Sequence, residues 1–174
     1  MFDLTGKTPE GNALINDLTL VEGAPAYTIT VTADQQLGLY RVADNIGAFS
    51  STITVICDNS EIAVLSADGS AEEVGNIKYC LLKQDNSLYL QVKNADETGP
   101  VIPIEDYDHA YTEDPFVIRM TVADDKSGVK AQQYRINGGE WLDFDGSVTI
   151  TQNCTLQFRA EDAVGNETLS EIIS

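Results

Sequence analysis

Short runs in which apolar and polar residues alternate extend along the whole sequence. Examples are AYTITVTA at residues 26–33, STITVIC at 51–57, SLYLQVK at 87–93 and CTLQFRA at 154–160. Because successive side chains of a strand point to opposite faces of a sheet, a period of two predicts strands with one buried and one solvated face. Strands of this kind pack as antiparallel sandwiches or close into barrels. The sequence therefore predicts an all-β protein.

Clusters of turn residues separate these runs, such as DNIG at residues 44–47, KQDN at 83–86 and INGG at 136–139. No window keeps a helical period over three turns. The polar segment KNADETGPVIP at 93–103 holds both Gly99 and Pro100 and follows a strong strand. It predicts a boundary between two tandem antiparallel β-sandwich domains, residues 1–95 and 96–174, each with about seven strand candidates.

The charge of the chain restricts its partners. The formal net charge is -18 and the isoelectric point is near 4.1. Such a surface repels phosphate backbones and anionic lipid headgroups, so we expect neither nucleic-acid binding nor membrane binding, whereas cations and neutral ligands remain open. Residues 1–95 carry 12 acids against 5 bases and residues 96–174 carry 16 against 5, so the second half is the more acidic.

Two further features concern the cellular compartment. No stretch approaches the roughly 20 apolar residues of a membrane-spanning helix, and the start MFDLTGKTPEGN lacks the regions of a signal peptide. If the protein is exported, we expect its signal and anchor outside this chain. Cys57, Cys80 and Cys154 fit neither CxxC metal spacing nor a dense disulfide framework. A disulfide between Cys57 and Cys80 and three buried free thiols both stay open.

The strands of residues 96–174 can be ordered from the alternation alone. We predict strand A at 101–104, strand B at 116–124, strand C at 131–136, strand F at 155–160 and a last strand at 168–173. Four landmarks occur along this order: Asp-x-x-x-Pro at 96–100, DKSGV at 125–129, GGEW at 138–141 and FRAEDAVGN at 158–166. Together they resemble the bacterial Ig-like repeats of large secreted and surface proteins of the adhesin type. The resemblance covers residues 96–174 almost completely.

The first domain is similar to a second β-rich repeat that alternates with such Ig-like units, through LGLYRVADNIGAF at residues 37–49. Both resemblances imply an extracellular or cell-surface protein built of structural repeats, whose partners include the neighbouring repeats of the same chain. The cysteines depart from the pattern. Cys154 stands where the Ig-like family usually has a small residue, and the first repeat type generally lacks cysteine.

Catalytic motifs find little support. The only histidine, His109, lies in the polar segment DYDHAY and is predicted to be a surface loop residue, and no Ser or Cys stands in a nucleophile motif. We therefore predict no catalytic residues and no enzyme. Trp141 has two interpretations: an exposed aromatic ring that stacks on a sugar, or a structural indole that covers one edge of the sandwich.

Calcium is the most specific chemical hypothesis. In a sandwich of this topology the B–C and F–G loops lie at the same pole, where strand A also begins. That arrangement brings Asp124 and Asp125 towards Asp162 and Asn166, with Asp96 arriving from the linker. Calcium takes six to eight oxygen ligands, which an interdomain crevice rich in Asp and Asn can supply. The alternative is that Asp and Asn only cap local turns through their side chains.

These observations lead to one expected function and two alternatives. We predict a non-enzymatic tandem repeat segment of an exported bacterial surface or adhesion protein, acting as a spacer or stalk that interdomain calcium stiffens. No other cofactor is required. The alternatives are a module that binds a carbohydrate or a host surface protein, and an accessory domain of a secreted glycan-active enzyme.

Overall fold

The computed structural model describes residues 1–23, 25–104 and 115–174. It divides into two units, Met1–Ala95 and Asp96–Ser174. Both units consist of strands and turns, with no α-helix in the described ranges, so the prediction of an all-β chain with antiparallel sheets is confirmed at that level. No helix in these ranges is long and apolar enough to cross a membrane. His109 lies outside the described residues.

The described part of the first unit contains eight strands and a short 3-10 turn at Leu18–Leu20. In chain order the strands are β1 (Phe2–Asp3), β2 (Tyr27–Val31), β3 (Gly38–Asp44), β4 (Ile53–Cys57), β5 (Ser60–Leu65), β6 (Ala71–Val74), β7 (Ile77–Gln84) and β8 (Ser87–Asn94). They form two four-stranded sheets with the orders β1-β2-β4-β5 and β3-β8-β7-β6.

One sheet of the first unit departs from the predicted antiparallel arrangement. β2 runs parallel to both β1 and β4, with Tyr27 opposite Ile53 and Val31 opposite Cys57. The intervening strand β3 pairs with β8 in the other sheet. The chain therefore crosses to the second sheet and back before β4, which leaves β4 running in the same direction as β2.

The core of the first unit lies between its two sheets. Ile29 and Ile53 come from one sheet and Leu81 and Leu90 from the other, and all four are 0% exposed. Burying a side chain of this size stabilises the fold by roughly 1.5–3 kcal/mol. The alternation in the sequence predicts these inward positions because every second residue faces the opposite sheet.

Residues 10–15 run along the free edge of β3. The backbone N–H of Glu10 donates to the carbonyl of Leu39 at 2.9 Å, and that of Leu14 donates to the carbonyl of Val42 at 3.1 Å. The other edge strand of this sheet, β6, has the sequence AEEV and is mostly exposed. One edge of the sheet is thus covered by backbone and the other carries carboxylates.

The described part of the second unit contains six strands. They are β9 (Phe116–Arg119), β10 (Val129–Ile136), β11 (Leu142–Asp143), β12 (Ser147–Ile150), β13 (Leu156–Asp162) and β14 (Glu167–Leu169). Their sheets have the orders β11-β10-β13-β14 and β12-β9, and all the pairs are antiparallel. The core between them includes Phe144 and Phe158, whose ring centroids lie 5.3 Å apart in an edge-to-face arrangement.

Two predicted strands of the second unit are shorter than the sequence suggests. Strand A, predicted at 101–104, is reduced to a single bridge between Val101 and Ala123. Strand B, predicted at 116–124, is regular only to Arg119. Pro103 has no N–H to donate to a neighbouring strand, which explains why strand A does not continue.

All three thiols are free, so the disulfide between Cys57 and Cys80 does not form. Cys57 ends β4 and Cys80 lies within β7, and these strands belong to different sheets. Burial raises the pKa of both thiols. They are therefore protonated at neutral pH and poor nucleophiles.

Candidate functional site

A cluster of three carboxylates forms the candidate site, and all of it belongs to the second unit. We call Asp96, Asp124 and Asp162 the carboxylate cluster; one oxygen from each lies within 4.8 Å of the others. The topology explains the meeting. The Val101–Ala123 bridge places the first residues of the unit beside the end of strand B, and the β10–β13 ladder sets Val129 opposite Asp162.

Asp162, the last residue of β13, is 0% exposed. Its Oδ1 accepts hydrogen bonds from the backbone amides of Val164 (2.9 Å) and Asn166 (2.8 Å), and its Oδ2 accepts one from Nδ2 of Asn166 (2.7 Å). Burial raises the pKa of this carboxyl, but the hydrogen bonds outweigh burial and hold the pKa below its ordinary value. Asp162 is thus a buried carboxylate that is ionised at neutral pH.

Asp96, the first residue of the second unit, is only 5% exposed. Its Oδ1 accepts from the amide (3.2 Å) and the hydroxyl (3.3 Å) of Thr98, and its Oδ2 accepts from the amide of Ser127 (3.0 Å). The neighbouring Ser127 hydroxyl, and then these other donors, hold the pKa of Asp96 below its ordinary value against the effect of burial.

Asp124 stands before the turn that leads into β10. Its Oδ2 accepts hydrogen bonds from the backbone amides of Gly128 (2.7 Å) and Lys126 (3.2 Å), and Gly128 has a φ of 83° that favours glycine. Its other oxygen differs. Asp124 Oδ1 is a buried atom without a hydrogen-bond partner among the described residues. Buried polar atoms in folded proteins usually have a partner, so this oxygen requires an explanation.

The other two predicted ligands have different roles. Asp125 is exposed and accepts a hydrogen bond from the Thr98 hydroxyl at 3.2 Å. It therefore lies at the edge of the carboxylate cluster and is not one of its three members. Asn166 donates through Nδ2 to the backbone carbonyls of Asp96 (3.3 Å) and Thr98 (3.2 Å) as well as to Asp162. It therefore acts as a hydrogen-bonding bridge across the cluster.

Thr98 and Ser127 contact the cluster, and the sequence analysis missed both. The only signals were their positions: Thr98 lies two residues after Asp96, and Ser127 lies inside the DKSG turn. Hydroxyl residues are common in turns for local reasons, so these positions alone do not identify a site.

Trp141 lies away from this cluster in contact with two guanidinium groups. The Cζ atoms of Arg135 and Arg159 are 4.7 Å and 4.8 Å from the indole centroid. Gln157 and Gln133, on the outer face of the same sheet, accept hydrogen bonds from these arginines. Cation–π contacts of this kind favour the structural interpretation of the indole, while sugar stacking stays a prediction.

Comparison of the chain with protein-family models, with curated proteins and with solved structures gives no match. The resemblance to bacterial Ig-like repeats therefore stays a prediction that depends on the four landmarks of residues 96–174.

Proposed function

We propose that the chain is a non-enzymatic segment of an exported bacterial surface or adhesion protein, in which two tandem β-sandwich repeats, the second Ig-like, act as a spacer. One observation carries the proposal: the joining residues are all bonded into one unit or the other. The amide of Ala95, which is 3% exposed, donates to the carbonyl of Asn76 at 2.8 Å within the first unit. The next residue, Asp96, is already held within the second.

The residues that follow Asp96 are equally well held. Val101 and Ala123 exchange two backbone hydrogen bonds, at 2.7 Å and 3.2 Å. Gly99 passes close to β14: a Cβ atom built on it would lie 2.6 Å from Oγ1 of Thr168. Flexible linkers need residues free of such contacts, so the contacts described for residues 95–101 are not those of a flexible linker.

The charge of the chain suits the same role. A net charge of -18 keeps a long array soluble and disfavours association between its segments. An exported spacer needs no catalytic group. The carboxylates of the carboxylate cluster accept hydrogen bonds from the backbone amides of turns, which is a structural role. These features support the proposal together with the resemblance of residues 96–174.

Backbone 15N relaxation tests the stiffness that a spacer requires. We expect both units to report one rotational correlation time, that of the whole 18.9 kDa chain. Insertion of Gly-Ser-Gly-Ser between Ala95 and Asp96 should give two shorter correlation times. The same insertion after Gly138, in the exposed turn before β11, is the matched control and should leave the single value unchanged. Two separate correlation times in the unmodified chain would refute a stiff spacer.

A binding function makes a different prediction. Specific binding on a glycan array or to a host surface protein, lost in Trp141→Ala while the far-ultraviolet circular dichroism is unchanged, would replace the spacer proposal with that of a ligand-binding module. Phe116→Ala, on β9 of the other sheet and 38% exposed, is the matched control for a general loss of an exposed aromatic ring.

A further inference from the structure

We propose that the carboxylate cluster of the second unit binds a divalent cation of the hard, oxygen-preferring class, with Ca²⁺ as its ligand. The site lies within the second unit and does not depend on the spacer role. The proposal is argued from the separation of the oxygens, from an unpaired buried oxygen, and from the chemistry of the groups around it.

The separation of the oxygens fits a shared cation. Ca²⁺ binds oxygen at about 2.3–2.6 Å, so two oxygens on one ion are separated by at most roughly 5 Å. One oxygen each of Asp96, Asp124 and Asp162 satisfies this limit, since the three lie within 4.8 Å of one another. The three residues come from separate segments of the unit, so no single turn accounts for the convergence.

The second observation is independent of this convergence. Asp124 Oδ1 is buried and has no hydrogen-bond partner among the described residues, while Oδ2 of the same carboxylate is fully used by the turn. The turn therefore explains one oxygen of Asp124 and leaves the other unexplained. A carboxylate oxygen removed from water without a partner is strongly unfavourable, and a cation is the partner that favours it most.

The hydrogen-bond donors described above for the three carboxylates are neutral groups. They are the backbone amides of the two turns, the hydroxyl of Thr98 and the carboxamide of Asn166. Each of these groups is neutral. Neutral donors stabilise single carboxylates but do not cancel the repulsion between three of them at this separation, whereas a divalent cation does.

The choice of calcium follows from the ligand atoms. The cluster offers carboxylate oxygens, with a hydroxyl beside them and neither thiolate nor imidazole in the described group, which disfavours Zn²⁺. Mg²⁺ demands near-ideal octahedral geometry and keeps its waters. Ligands from three separate segments suit the variable coordination of Ca²⁺ better.

Calcium titration of the chelator-treated full chain tests the proposal. The buffer contains about 100 mM NaCl, because salt near physiological ionic strength screens the non-specific attraction of Ca²⁺ to the acidic surface. We expect saturable binding of one Ca²⁺ by calorimetry and a melting temperature for the second unit that rises by about 5 °C or more at saturation. The same concentration of Mg²⁺ should give a smaller shift.

Two variants identify the ligands. Asp124→Asn keeps the size of the side chain and removes its charge, so the affinity for Ca²⁺ should fall by about tenfold or more. Asp145→Asn, an exposed aspartate in the turn between β11 and β12, is the matched control and should bind as the unmodified chain does. Binding that is unchanged in Asp124→Asn would overturn the assignment. Absence of calorimetric heat and of any melting shift would instead assign the cluster to hydrated turns alone. Neither result affects the relaxation test of the spacer.

Discussion

Gly99 lies close to β14, and adding one methyl group there tests how closely residues 96–101 pack against that strand. In Gly99→Ala the new Cβ would lie 2.6 Å from Oγ1 of Thr168, 3.0 Å from the carbonyl carbon of Glu167 and 3.1 Å from its oxygen. The hydroxyl can rotate away, but the backbone of Glu167 must move by a few tenths of an ångström. Overpacking of this kind costs about 1–3 kcal/mol, and we expect the free energy of unfolding of the second unit to fall by that amount.

Trp141 makes the measurement specific to one unit. It is the only tryptophan of the chain and belongs to the second unit, so its fluorescence during urea unfolding reports that unit alone. Circular dichroism follows both units at once. The transition of the first unit should be unchanged in Gly99→Ala.

A double-mutant cycle separates the two contacts. Thr168→Ala removes the hydroxyl that the new methyl group meets but leaves the backbone of Glu167 in place. Gly99→Ala should therefore cost less in the Thr168→Ala background, with a coupling energy of roughly 0.5–1 kcal/mol. A cost below about 0.5 kcal/mol in the original background, the range of ordinary surface substitutions, would show that residues 96–101 do not pack on β14 as described.

Two further predictions concern the cluster and the indole. Asp96 and Asp162 have folded-state pKa values below the ordinary 3.8, so the unfolded chain takes up protons first as the pH falls. The two carboxylates should contribute their full stabilisation above pH 3.8 and lose it as the pH falls through their lowered folded-state pKa values. In calcium-free buffer, Asp162→Asn should therefore flatten the fall in melting temperature below about pH 4, near the ordinary carboxyl pKa. Trp141→Ala should destabilise the second unit by about 1–2 kcal/mol because its cation–π contacts are lost, as measured by circular dichroism in urea. The control is Leu142→Ala at the neighbouring residue, which is 48% exposed and should change the stability by less than about 0.5 kcal/mol.

The positions of strands and turns were accessible from the sequence, because alternation and turn chemistry are local. The Asp-Asn pairs at 58–59 and 85–86 have positive φ at both residues and connect β4 to β5 and β7 to β8, where turn clusters stand in the sequence. Strand direction was not accessible. Alternation states which face a side chain takes but not which neighbour the strand chooses, so the parallel pairing of β2 with β1 and β4 was missed.

The sequence predicted only part of the candidate site. Strand order indicated the pole at which Asp124, Asp162 and Asp96 meet, since the order of the strands fixes which turns are neighbours. It could not separate Asp124 from Asp125, because adjacent residues of a turn point in different directions according to its φ and ψ angles. Nor could it show that Asn166 bridges backbone carbonyls. That role depends on distances set by the packed fold.

Residues 10–15 cover the edge of β3, and this matters for strand exchange in any chain that repeats such units. Neighbouring copies in one chain meet at effective concentrations in the millimolar range, far above those of separate molecules. An open sheet edge at such a concentration invites pairing between copies, which leads to domain swapping and misfolding. Residues 10–15 satisfy the edge groups of β3 at Leu39 and Val42 within the same unit, and like charges on β6 repel a second copy. Both edges of this sheet therefore disfavour strand exchange between neighbouring copies of such a unit.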